Sequence, residues 1–137
     1  SELLESTRES VVKYLYLLEK AGVVSLLSSS TQGIRALGKP EKILFDNPNI
    51  MHAFATSVNV GTQRETFFVN QLSKAGHSLT LDKHGDFRVD ENYIFEIGGK
   101  SKSMNQIKGL KNSYIAADDI DSSWGNKLPL WYFGFLY

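Results

Sequence analysis

A chain of 137 residues has room for one average domain or two small ones. Fifteen basic and fifteen acidic side chains cancel, so bulk charge argues for neither a nucleic acid nor an acidic partner. Zero cysteines exclude disulfide scaffolds, thiolate metal sites and cysteine nucleophiles, and are compatible with a reducing cytoplasm, where the chain is expected to reside. No apolar run approaches the ~20 residues of a membrane span and no signal-peptide pattern is present, so no membrane partner is expected. Because Ser1 rather than methionine comes first and a helix start follows closely, the chain is expected to be cut from a longer protein.

Ser6-Thr7-Arg8-Glu9 has capping-box spacing, with Ser6 as N-cap. Val11, Tyr14, Leu15 and Leu18 then recur as the stripe of an amphipathic helix, closed by Gly22. Val23 to Leu27 reads as a strand, Ser28 to Gly33 as a polar turn, and Ile34 to Leu37 and Lys42 to Phe45 as short strands. A helix, a short strand and a polar hairpin look like the last helix and wing of a winged helix-turn-helix. An ordinary helix-hairpin fits the pattern equally well. Arg8, Lys13, Lys20 and Arg35 are the candidate phosphate contacts of a DNA-binding wing, diluted by Glu9 and Glu19.

Asn47-Pro48 opens a further helix with Ile50, Met51 and Phe54 on its apolar face. Ser57 to Gly61 is the natural joint, dividing residues 1–58 from 59–137. After it Thr62-Gln63-Arg64-Glu65 repeats the capping-box spacing, Phe68, Val69 and Leu72 form a stripe, and Gly76 stops the helix. Three short strands follow at Ser78 to Asp82, Asp86 to Val89 and Tyr93 to Ile97. A short helix is predicted over Ser103 to Leu110, then a strand over Asn112 to Ala117. A last buried strand, Leu130 to Tyr137, is read as a central strand or a subunit interface.

The hairpin from Gly85 to Lys100 carries the most chemistry. With a loop of Asp90, Glu91 and Asn92, Val89 faces Tyr93 and Phe87 faces Phe95, which places Asp86 opposite Glu96 on the other face. Like charges so placed call for a cation, a proton or a basic neighbour between them, and magnesium held by these carboxylates plus waters would satisfy them. A two-residue loop would instead shift the register and send the acids to opposite faces. Both readings stand on pattern alone. His52, His77 and His84 share no ligand spacing and read as surface or loop residues. Trp124, Trp131 and the C-terminal aromatics read as core rather than as a base-stacking platform.

The order helix, three strands, helix, strand, with Asp, Glu and a nearby Lys, resembles the PD-(D/E)XK restriction-endonuclease-like fold. Gly61 to Leu72, Gly85-Asp86-Phe87, Phe95-Glu96-Ile97-Gly98-Gly99-Lys100 and Leu128-Pro129-Leu130-Trp131 are similar to a bacterial family of AAA-type ATPases. Leu15, Leu18-Glu19, Ala21-Gly22, Lys39-Pro40 and Lys42 also match that family. Its C-terminal part is an uncharacterised region joining a winged helix to a nuclease-like domain. The resemblance implies a mixed α+β or α/β fold: a partial winged helix, then an αβββαβ core with a mixed sheet. It implies Asp86 and Glu96 as metal carboxylates, with a catalytic lysine two residues beyond Glu96, where this sequence has Gly98. The nearest lysine, Lys100, stands roughly 13 Å further along an extended strand unless a bulge at Gly98-Gly99 shortens the reach. Glu65 lies where related folds sometimes supply another carboxylate, but its capping position accounts for it. Lys102 and Lys108 are further candidate phosphate contacts, near a helix start at Ser103.

No Gly-x-x-x-x-Gly-Lys-Ser/Thr loop occurs, so ATP would bind only in an upstream domain of the same polypeptide. The expected function is therefore a non-catalytic regulatory or interaction module of such an ATPase. The alternatives are a magnesium-dependent nuclease acting through Asp86, Glu96 and Lys100, and a DNA-binding winged-helix module. The partners expected are the upstream ATPase domain, with DNA or another protein beyond it.

Overall fold

The computed structural model describes residues 7–29 and 39–137. Helix α1 spans Arg8–Lys20, and strands β1, Val24–Leu27, and β2, Lys42–Phe45, pair antiparallel with Val24 opposite Phe45 and Leu27 opposite Lys42. Ser6, the proposed N-cap, and the strand expected at 34–37 with Arg35 lie outside the described residues; Thr7 is the cap residue of α1. Helix α2, Pro48–Phe54, starts as foreseen, with Asn47 Oδ1 accepting from the Ile50 N–H at 3.0 Å and Pro48 needing no donor.

Helix α3, Val60–Lys74, begins earlier than its sequence suggests. Asn59 Oδ1 accepts from the Thr62 N–H at 3.0 Å, so Asn59 takes the capping role assigned to Thr62 and frees Glu65 from it. Gly76, at φ +91°, lets the chain turn back so that the His77 N–H reaches the Leu72 carbonyl at 3.0 Å, the closing bond of a Schellman stop.

Strands β3, Leu79–Leu81, β4, Phe87–Val89, β5, Tyr93–Gly98, β6, Ser113–Ala117, and β7, Lys127–Pro129, form one mixed sheet in that order. The β3–β4–β5 ladder is antiparallel; β5–β6 and β6–β7 are parallel. The hairpin register is the one read from the sequence, with Phe87 opposite Phe95 and Val89 opposite Tyr93 across the loop at 90–92. Asp90 and Glu91 adopt φ of 50° and 61° there, as a tight turn between right-twisted strands requires.

Two expected elements differ. Residues 103–110 form successive turns rather than a helix, with Ile107 N–H bonded to the Met104 carbonyl and Leu110 N–H to the Ile107 carbonyl. Gly109, at φ +80°, ends the run. The apolar terminus is a 3-10 helix, Leu130–Phe135, and not a strand. Leu130 and Phe133 are its buried residues, and their spacing of three matches the 3-10 repeat rather than strand alternation.

The sheet is covered on both faces. On one, Phe68 of α3 meets Phe87, Phe95 and Phe133 with ring centroids 5.9, 5.0 and 5.0 Å apart. Leu27 and Leu44 join this same core, so the first segment packs directly on the second. On the other face Ile94 and Ile115 pack with Ile107 of the β5–β6 crossover. The stripe of α1 is not buried in this core: Val11, Tyr14 and Leu18 remain exposed. Among the described residues, no helix is long and apolar enough to cross a membrane. Replacing Phe68 by Ala is expected to cost about 3–5 kcal/mol in urea unfolding, whereas a loss below about 1 kcal/mol would move the centre of the core elsewhere.

Candidate active site

Glu96 lies in the middle of β5, flanked by β4 and β6, with 2% of its surface exposed. A carboxylate removed from water must be paired or protonated. Two side chains from the β5–β6 crossover pair it. The Lys102 ammonium forms an ion pair with Oε1. Gln106, its amide nitrogen turned toward the acid, donates to Oε1 at 2.6 Å and Oε2 at 3.0 Å.

Lys102 reaches Glu96 because Gly98 has no side chain. A residue two beyond Glu96 points to the same side of the strand. A Cβ at Gly98 would stand 2.7 Å from Lys102 Cγ and 2.8 Å from its Cβ and Cδ, so the lysine stem fills that space. The turn after the strand, closed by the Lys102 N–H on the Gly99 carbonyl at 3.0 Å, sends the chain back over it. Lys127 of β7 fixes the same turn, its Nζ donating to the carbonyls of Lys100 at 2.5 Å and Lys102 at 3.0 Å.

The lysine at Glu96 is therefore Lys102 and not Lys100. Strand β5 stays paired through Gly98 opposite Ala117, no bulge draws Lys100 inward, and Lys100 is exposed. Lys102, expected as a phosphate contact, commits its ammonium to an acid instead.

Asp86 directly precedes β4, beyond the last ladder pair of Phe87 with Phe95. Its N–H donates to the Phe95 carbonyl at 2.9 Å, and its Oδ2 accepts the Ile97 N–H at 2.6 Å, astride Glu96. Asp82 orders the loop before Asp86, accepting from the His84 and Gly85 N–H groups at 2.9 and 3.0 Å and from Arg88 Nε at 2.9 Å. Glu65 of α3 bonds Lys42 of β2 at 2.5 Å, joining the first segment to the edge of the site.

These charges act on one another. Burial pushes the Glu96 carboxyl above the usual glutamate range; the Lys102 hydrogen bond and charge pull it back, and the charges of Asp86 and Glu65 add to the rise. Lys102 is held above the usual lysine range, first by its hydrogen bond to Glu96, with the charges of Glu96, Asp86 and Glu65 adding to that rise against burial. Its contribution to stability is accordingly present in full below the ordinary lysine range and lost as pH rises through its raised value.

The remaining candidates are dispersed. Arg8, Lys13 and Lys20 are all exposed on α1; Lys13 and Lys20, seven residues apart, share a face from which Arg8 stands off. Lys108 is exposed, and Arg35 is outside the described residues. His77 pairs with Asp90 at 2.7 Å, while His52 and His84 are exposed. Trp131 is half-exposed and donates its indole N–H to the Ile120 carbonyl at 3.2 Å. Trp124, expected in the core, is 86% exposed. Lys102 and Gln106 are the site residues that spacing along β5 did not reveal; the glycine two beyond Glu96 was their signal.

No protein-family model matches the chain, and comparison with curated proteins and with solved structures gives no match. Lys102→Met is expected to raise the Glu96 titration midpoint above that of the parent, since it removes the charge opposing burial; a side-chain carboxyl titration by NMR reads the shift, and an unchanged or lowered midpoint would contradict the pairing.

Proposed function

We propose that the chain is the C-terminal part of a bacterial AAA-type ATPase and carries a PD-(D/E)XK nuclease-like domain that hydrolyses nucleic-acid phosphodiesters. The segment formed by α1, β1 and β2 is read as a partial winged helix attached to it. The observation that carries the catalytic reading is Lys102 returning to Glu96 through the space left by Gly98. The residue missing from the linear pattern is thus supplied from the crossover, beside both carboxylates.

An ion would rest on Asp86 and Glu96 alone, since among the described residues no three His, Asp or Glu side chains gather at this or any other place as a metal-ligand group. Two hard oxygen donors with waters suit magnesium, and the charge of Asp86, which adds to the burial that raises Glu96, is the kind a cation relieves. A bound divalent ion supplies Lewis-acid polarisation of the phosphoryl oxygen and a more acidic water. Lys102, raised and therefore protonated at neutral pH, is a donor and not a base. An ammonium has three N–H donors, so one can stay on Glu96 while another meets the charge that develops on phosphate. Asp86 is anchored through its Oδ2 by the Ile97 N–H.

A second reading, a non-catalytic regulatory or interaction module of the ATPase, is favoured by one observation. Both Glu96 oxygens are already engaged by Lys102 and Gln106, a self-contained neutralisation that needs no ion.

Incubation of single-stranded and duplex oligonucleotides with magnesium or manganese separates the two. Catalysis predicts metal-dependent cleavage that is abolished in Glu96→Ala and slowed roughly 100- to 1,000-fold in Lys102→Ala. It also predicts recovery in the double variant Gly98→Lys, Lys102→Ala, which returns the lysine to the strand. No cleavage, with a silent calorimetric titration at millimolar metal, would leave the module reading.

A further inference from the structure

Beside the carboxylate site lies a pocket of about 450 Å³ that the hydrolytic chemistry does not use. Met104 and Ile115 give it apolar walls, Lys102 and Lys127 line it with cationic side chains, and no acid lines it. Trp124 stands among these residues as the most exposed large apolar side chain among the described residues, at 86%. Its indole meets no ring and no hydrogen-bond partner among the described residues, unlike Trp131, which packs on Tyr132 and Phe135.

The exposure is not that of a loose loop. Trp124 N–H donates to the Lys127 carbonyl at 2.9 Å and Lys127 N–H returns to the Trp124 carbonyl at 3.0 Å. Asn126, between them, ties the turn to β6 through its Nδ2 on the Ser113 carbonyl at 3.0 Å and its own carbonyl under the Ile115 N–H at 2.9 Å. The backbone that carries this large aromatic side chain is thus tied on both sides, while the indole itself stands in water. The crossover that supplies Lys102 and Met104 to the pocket has no acid from Gly98 to Ala116 and exposes Lys100, Lys108 and Lys111, while the exposed Asp119 and Asp121 precede Trp124 in the chain. An exposed π-face at a pocket lined by two lysines and no acid is suited to an unpaired base on a polyanionic strand.

We infer that this pocket takes one unstacked nucleobase against Trp124, and hence that the substrate class of the adjoining site is single-stranded nucleic acid. The inference rests on the reading of that site as one for phosphodiesters. Lys102 connects the two, since the same side chain lines the pocket and holds Glu96. A strand whose base is seated in the pocket therefore meets the lysine that pairs with Glu96. A base within a duplex has both faces covered by its neighbours and cannot enter without being flipped out.

The test uses Trp131→Phe as background, leaving Trp124 as the single tryptophan, with EDTA present so that binding is read apart from cleavage. An eight-nucleotide oligothymidylate, the corresponding oligouridylate and an eight-base-pair duplex are titrated while indole emission is followed. The expected result is saturable quenching by at least one single strand, at least tenfold tighter than by the duplex. By fluorescence anisotropy of a labelled oligonucleotide, Trp124→Ala should weaken binding roughly tenfold, the stacking of one base, and Trp124→Phe should restore most of it. Equal quenching by duplex, no quenching by either single strand, or unchanged affinity in Trp124→Ala would each overturn the inference. Strand binding that quenches Trp124 without any metal-dependent cleavage would instead overturn hydrolysis and leave the pocket standing. Cleavage of a single strand unaffected by Trp124→Ala would do the reverse.

Discussion

A carboxylate that keeps only 2% of its surface exposed in the middle of a five-stranded sheet has to be answered where it stands, because burial removes the water that would solvate its charge. Glu96 is that group, and much of the surrounding chain is arranged around it. The crossover from β5 to β6 sends back Lys102 and Gln106. Gly98 gives way to the lysine stem, and Lys127 ties down the turn that delivers it. Leaving such a charge buried without its partner is among the most costly single defects a small domain can carry. The local sequence from Gly98 to Gln106 is thus intelligible as a solution to one electrostatic problem.

The opposite face of the sheet is governed by a different requirement. Phe68 touches three other rings and brings α3, the β4–β5 hairpin and the terminal 3-10 helix to one point. The first segment is seated on the same core by Leu27 and Leu44 and by polar ties such as Asn70 Nδ2 on the Asp46 carbonyl at 2.8 Å. Aromatic packing holds the sheet to its helix, which leaves the other face to carry charge. The separation follows from strand alternation: Phe95 and Ile97 face one side, and Glu96 between them faces the other.

Much of this was legible in the residues. The β4–β5 register followed from a three-residue loop and two aromatic pairs, and the helix stops followed from Gly22 and Gly76. The cap of α3 was misread because Thr62 and Glu65 mimic a capping box while Asn59, three residues earlier, forms the bond. The crossover was misread because apolar spacing of three or four fits helices and turns alike, and the terminus because a continuous apolar run does not tell a buried strand from a 3-10 helix. The site lysine was hidden for a deeper reason. A motif counts along a strand, whereas Lys102 reaches its acid through a turn, and only the missing side chain at Gly98 marks the route.

That shared volume between Gly98 and Lys102 imposes a rule of exclusion. The two positions draw on the same few cubic ångströms, so a side chain at one evicts the stem of the other. A lysine can occupy this corner from the strand or from the turn, but not from both. Exchange between the two arrangements cannot pass through an intermediate that fills both positions without crowding, nor through one that empties both without stranding Glu96. Relatives with either arrangement would therefore carry paired changes at these two positions, a correlation set by steric exclusion and buried charge.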